Sequence, residues 1–129
     1  MVCSTDLIAT CAELVGVELP QAAGEDSFSY LNTILSTEVD EFVKRRSSMI
    51  YHSIHGDFAY REGDWVLLDC KGSGGWSLLE DEAIGLPSQQ LYNLKQDITQ
   101  QSNIKDTELS RAKEMTTKLK TQIEAGRTR

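Results

Sequence analysis

The sequence predicts an α+β fold: a small antiparallel sheet of about four strands with a long C-terminal helix packed on it, preceded by one or two helices. Three observations carry this. Met49 to Cys70 reads as three short strands broken by two glycine turns. Asp106 to Ala125 repeats apolar residues at helical spacing. Ser4 to Val15 does the same near the start of the chain.

Taken in order, Ser4 to Val15 is a helix that Ser4 or Thr5 can cap, with Asp6 in the favourable first turn and Gly16 at its end. Leu7, Ile8, Cys11, Leu14 and Val15 share one face. That face needs an apolar partner, and little hydrophobic sequence lies near it to supply one. Pro20 and Gly24 break the chain. Asp26 or Ser27 can cap a second short helix with Phe28, Leu31, Ile34 and Leu35 on one side. Thr37 to Ser48 is rich in charge and reads as a surface connection.

In the strand region, Met49, Tyr51 and Ser53 face one way and Ile50, His52 and Ile54 the other. Phe58–Arg61 and Trp65–Leu68 are the next two strands. Gly56 and Gly63 supply the positive φ of tight turns. Lys71 to Gly75 is a flexible loop, Trp76 to Leu79 a further strand candidate, and Gln90 to Leu94 an edge strand after the Pro87 break. In the last helix, Leu109, Ala112, Met115, Leu119 and Ile123 form the buried stripe, Asp106 or Thr107 caps the start, and Gly126 stops it. Lys113, Lys118, Lys120, Arg111, Arg127 and Arg129 make its solvated face.

Composition narrows the function classes. The 129 residues suit one domain, and the 40% hydrophobic fraction supports a modest core. The formal charge is −7, from 20 acidic and 13 basic residues. With no basic cluster, nucleic acid and anionic membrane surfaces are poor partners. No apolar run reaches membrane-spanning length, and the first residues lack the basic start of a signal peptide. Cys3, Cys11 and Cys70 form no CxxC, and none has a neighbouring His for a metal pattern.

Few constellations carry chemistry. Lys71-Gly72-Ser73-Gly74-Gly75 matches neither a P-loop nor a dinucleotide loop. His52 and His55 are the only histidines. A metal site built on them would need Asp57 or Asp64 as well. The simpler use of His52 is as a hydrogen-bonded structural residue; its functional use is as a polar group at the lip of a cleft. Trp65 and Trp76 read as packing residues, and Trp76, beside the glycine loop, can alternatively serve as a platform for a sugar ring. No triad can be argued from spacing.

Several segments, in order, resemble the C-terminal part of the formylglycine-dependent sulfatases, the arylsulfatase family. Thr5-Asp6-Leu7-Ile8-Ala9-Thr10, Leu14-Val15-Gly16-Val17 and Leu19-Pro20 are similar to the family's TDLxAT…LxGVxLP. Gly24 to Ser29 resembles its EDSxS segment. Tyr51-His52-Ser53-Ile54, Gly56-Asp57-Phe58-Ala59-Tyr60-Arg61 and Gly63-Asp64-Trp65 resemble HHSxxGxFAxRxGDWKL. Gly72-Ser73-Gly74-Gly75-Trp76 resembles the GSGGW of some members, and Leu91-Tyr92-Asn93-Leu94 with Asp97 and Asn103 resembles LYNLxxDPxExxNL. Gly126-Arg127 is similar to the end of the final helix. Val66, Ile98 and Gln100 stand where the family usually has Lys, Pro and Glu.

The resemblance implies a parent enzyme that hydrolyses sulfate esters, with calcium and formylglycine as its cofactors. Its nucleophile arises in a C/S-x-P-x-R motif. No Cys or Ser here is followed by x-P-x-R, and Leu86-Pro87-Ser88-Gln89 lacks both nucleophile and Arg. The paired Asp and Asp-Asn metal ligands have no counterpart either. The resemblance therefore assigns residues 1–36 to terminal helices of a catalytic domain, 37–48 to a charged connection and 49–129 to the C-terminal subdomain, with its helix at 106–125. It implies no catalytic residue, metal ligand or cofactor in this chain. It makes His52, His55 and Trp76 candidates for the substrate rim. The expected partner is the missing catalytic domain, or a second copy through the apolar face of residues 7–15. The expected role is completing the fold and rim of the cleft without activity alone. The alternative is a small independent binding or adaptor domain. Family members are often periplasmic, secreted or lysosomal; this stretch gives no compartment of its own.

Overall fold

The computed structural model describes residues 1–36, 46–75 and 82–128. The chain divides into two units, Met1–Ser47 with Ala125–Arg129, and Ser48–Glu124.

The second unit is a four-stranded antiparallel sheet in the order β1-β2-β3-β4 with one helix. The strands are β1 (Ser48–His52), β2 (Phe58–Glu62), β3 (Trp65–Asp69) and β4 (Gln90–Asn93). Ile50 pairs with Tyr60, Tyr60 with Leu67 and Leu67 with Leu91, a row of large side chains across the sheet. The helix α3 (Leu109–Ala125) buries Ala112, Met115 and Leu119. These three form one core with Tyr60, Leu67 and Leu91, and Ile50, Phe58, Trp65 and Ile104 pack around it. The stripe therefore covers its own sheet, as its spacing predicts. It is narrower than predicted: Leu109 and Ile123 at its ends are exposed. The helix also starts later than Asp106, because Thr107 and Glu108 donate their amides to the Ile104 carbonyl in a preceding turn.

The hairpins follow their glycines. In the first, the Ser53 amide donates to the Asp57 carbonyl and the Gly56 amide to Ser53, with Gly56 at φ 86°. In the second, Glu62 pairs directly with Trp65 across Gly63 at φ 58°. The outer edge of β4 is closed by a loop. The Leu91 amide donates to Asn103 Oδ1 at 3.0 Å, and the Ile104 amide donates to the Leu91 carbonyl at 3.0 Å. Asn103 thus supplies the acceptor that another strand would bring. The turn before it is tied by Asp97, whose Oδ2 accepts the Ser102 amide at 2.8 Å. That bond and one from Gln101 hold its carboxyl below the usual carboxylate range. A possible strand at Trp76 to Leu79 lies outside the described residues.

The first unit contains a 3-10 turn at Ser4–Asp6 that runs into α1 (Leu7–Leu14), and a single-turn helix α2 (Leu31–Leu35). The cap is not Ser4 or Thr5. Cys3 occupies it, and its amide donates to Asp6 Oδ2 at 2.9 Å. Asp26 and Ser27 do not cap the second helix, which starts only after Tyr30. Ser27 Oγ instead accepts the Ala9 amide at 2.9 Å, and Asp26 Oδ1 accepts the amide and hydroxyl of Thr128. The face of α1 that packs is the small one, Ala9, Thr10 and Ala12. Its large side chains stay in solvent: Leu7 is 52% exposed, Ile8 49%, Leu14 65% and Val15 69%.

Candidate functional site

His52 closes β1, Phe58 opens β2, Asp69 closes β3 and Gln90 opens β4. One end of the sheet therefore carries two loops, 53–57 and 70–75. Ser53 organises the first. Its Oγ donates to Asp57 Oδ2 at 3.3 Å and accepts the amides of His55 and Asp57 at 3.2 Å each. This is the local side-chain bonding that favours Ser in turns. Gln90 and Tyr92 hold the second. Gln90 Nε2 donates to the carbonyls of Cys70, at 3.1 Å, and Gly72, at 2.6 Å. Gln90 Oε1 in turn accepts the Tyr92 hydroxyl at 2.6 Å.

The two loops meet at Gly74. A Cβ there would lie 3.0 Å from Cys70 Sγ, 3.5 Å from Ser53 Cβ and 3.6 Å from Asp57 Oδ2. With φ at +64° as well, no other residue fits without strain. The glycine loop, unremarkable as a phosphate binder, is a packing element seated against the first hairpin at Gly74.

The two histidines belong to the first hairpin, His52 at the end of β1 and His55 in the turn. His52 is exposed; its Nδ1 is 2.9 Å from the Ser53 carbonyl, and its ring lies edge-on to Phe58 at 6.3 Å. His55 is exposed in the turn itself. Trp76 lies outside the described residues. Of the carboxylates near this end of the sheet, half-buried Asp57 accepts the Ser53 hydroxyl and exposed Asp69 accepts the Gln89 amide at 3.0 Å. The two nucleophile types here are occupied otherwise. Ser53 Oγ is committed to its turn. Burial pushes the Cys70 thiol up, and Asp57 and Asp69 push it further, so it stays protonated at neutral pH. Burial raises Tyr51 as well, against the opposing charge of Arg61. Among the described residues, no three His, Cys, Asp or Glu side chains gather to hold a metal ion.

The first unit has a polar centre that spacing does not reveal. Asp6 and Arg46 are buried together, with side chains 1% and 4% exposed and Arg46 Nη2 2.7 Å from Asp6 Oδ1. Asp6 Oδ1 also accepts the Phe28 amide at 3.1 Å. Arg46 donates to the Asp26 carbonyl and lies over the Phe28 ring, 4.8 Å from its centroid. Thr10 Oγ1 donates to the Asp6 carbonyl and accepts the Tyr30 amide. Arg46, expected on a charged surface connection, is thus an internal counter-ion; its partner is 40 residues away, beyond any local pattern. The same bonds give a structural use to Asp6, Thr10, Asp26 and Ser27, residues of the TDLxAT-like and EDSxS-like segments. Beside this centre, Leu7 and Ile8 line an open cleft of about 470 Å³ with Ser4, Thr5 and Gly24 to Ser27.

The fold and this site define a class: a sheet-and-helix α+β unit whose tied loops crowd one end, accompanied by a small helical unit. No protein-family model and no curated protein sequence matches the chain. Among solved structures, it is similar to a Bacteroides thetaiotaomicron chain described under "Metabolism of multiple glycosaminoglycans by Bacteroides thetaiotaomicron is orchestrated by a versatile core genetic locus" and labelled as a sulf protein of that locus. The TM-score is 0.70 at 22% identity, over 90% of this chain and 24% of that one. The chain thus spans about a quarter of the length of this sulfatase-related structure and shares its fold there.

Proposed function

We propose that this chain is the C-terminal subdomain of a sulfuric ester hydrolase of the formylglycine-dependent, arylsulfatase-like kind. It completes that enzyme's fold and forms part of the rim of its substrate cleft, and it does not turn over sulfate esters alone. The observation that carries the reading is the sulfatase-like fold found over nearly the whole chain, in which the family-like segments are the ones that build the structure. Asp6 and Ser27 tie the first unit, and Ser53, Asp57 and Gly74 tie the loop junction. The large apolar side chains left outside on α1 support it, since they suit a surface made to be covered. His52, His55 and Trp76 are the rim residues of this reading, and the calcium and formylglycine belong to the catalytic part.

The test is an assay of the purified chain with an aryl sulfate, with and without calcium. No turnover is expected in either case, and calcium-dependent turnover would overturn the proposal. Sequencing the transcript upstream of Met1 tests the family directly; a C-x-P-x-R motif followed by acidic metal ligands is expected there. The second reading, an independent binding module, draws on the self-contained core of residues 48–124. It predicts a transcript without that motif.

A further inference from the structure

We propose that the free edge of β1 pairs with β1 of a second copy, antiparallel, about a two-fold axis through Ile50. The argument starts from where the backbone groups of the edges point. The Ser53 amide bonds Asp57 across the first hairpin. Inward and outward groups alternate along a strand. Tyr51 and Met49 therefore turn their amides and carbonyls toward β2, opposite Ala59 and Arg61, while Ser48, Ile50 and His52 turn theirs outward. The same count at the far edge turns Leu91 outward, and there Asn103 and Ile104 take both of its groups. Among the described residues nothing does this for Ser48, Ile50 or His52.

The strand is complementary to itself. Its outward residues sit symmetrically about Ile50, so a two-fold axis places Ser48 opposite His52 of the partner subunit and Ile50 opposite itself. Each of these pairs exchanges two backbone bonds. Between them, Met49 falls opposite the partner's Tyr51, a thioether against a ring that is 40% exposed in the single chain. Ser48 to His52 holds no Asp, Glu, Lys, Arg or Pro, the residues that usually guard an edge. The acidic net charge of the chain is thus kept off this strand, and pairing brings no like charges face to face. The two four-stranded sheets become one continuous sheet.

Sedimentation equilibrium of the full chain across the micromolar range tests the association, and a dimer is expected. A mass that stays monomeric overturns the proposal. The register is tested in a C3S/C11S background. Met49→Cys and Tyr51→Cys chains, mixed and mildly oxidised, should cross-link to each other, since the paired Cα atoms would be about 4.5 Å apart, within disulfide reach. Neither should cross-link to itself. Self-linking, or no linking while the dimer persists, overturns the register. His52→Pro removes an outward amide that the fold itself does not use, so circular dichroism should be unchanged and the mass should fall to the monomer. If Leu14→Glu abolishes the dimer and His52→Pro does not, the exposed face of α1 is the interface and the proposal fails.

Discussion

Replacing Asp6 by Ala tests whether the first unit is held from its polar centre. The carboxylate takes three bonds: from Arg46 at 2.7 Å, the Phe28 amide at 3.1 Å and the Cys3 amide at 2.9 Å. Bonds to a charged group contribute about 1.5–3 kcal/mol each before the cost of burying the charge is counted. Removal also strands Arg46, whose side chain is 4% exposed and whose Nε has no partner among the described residues. Breaking a buried pair in this way costs about 3–5 kcal/mol. At about 1.4 kcal/mol per decade, hydrogen exchange of the α1 amides should accelerate by about two to four decades. The Ala9 amide, bonded to Ser27, is the probe. The double change Asp6→Leu with Arg46→Met should recover most of the loss, because the stranded charge is gone. Acceleration of less than about tenfold in Asp6→Ala, or a double variant as weak as the single, would refute the reasoning.

Other outcomes follow from the second unit and the thiols. Leu67→Ala, at a fully buried position in the middle of the sheet, should lower stability by about 2–5 kcal/mol in urea titrations followed by Trp65 fluorescence. The Asp97 carboxyl, held below its ordinary 3.8, supports its turn fully above that value and releases it as pH falls through the lower folded value. The Ser102 amide resonance should therefore titrate with a midpoint under 3.8; a midpoint at or above it contradicts the bonding described. Alkylation of the native protein, read by mass spectrometry, should modify exposed Cys11 first and buried Cys70 last, with Cys70 reacting at the Cys11 rate only after denaturation.

Much of the second unit is legible in the sequence because its signals are local. Gly56 and Gly63 mark turns that only a few backbone shapes satisfy, and the alternation between them fixes which side chains face the helix. The stripe through Ala112, Met115 and Leu119 then finds its sheet. The loop junction is less legible. Gly74 is visible as a glycine, but its neighbour Ser53 and the Gln90–Tyr92 tie become partners only once β4 lies beside β3. The first unit is least legible. Periodicity shows that Leu7, Ile8, Leu14 and Val15 share a face, but not whether the chain itself covers that face; here Ala9, Thr10 and Ala12 pack instead. Asp6 reads as a helix-end charge because nothing near it announces Arg46.

Asn103 has a consequence for stoichiometry. A sheet with two open edges can add strands without limit, whereas one sealed side leaves a single direction of growth. By standing in for a neighbouring strand at Leu91, this amide side chain, together with the Ile104 amide, closes the β4 margin, so a pair joined through β1 is left no second edge to extend. Asn103→Ala would free the Leu91 amide at that second margin, and pairs closed through β1 would gain a donor from which to extend further.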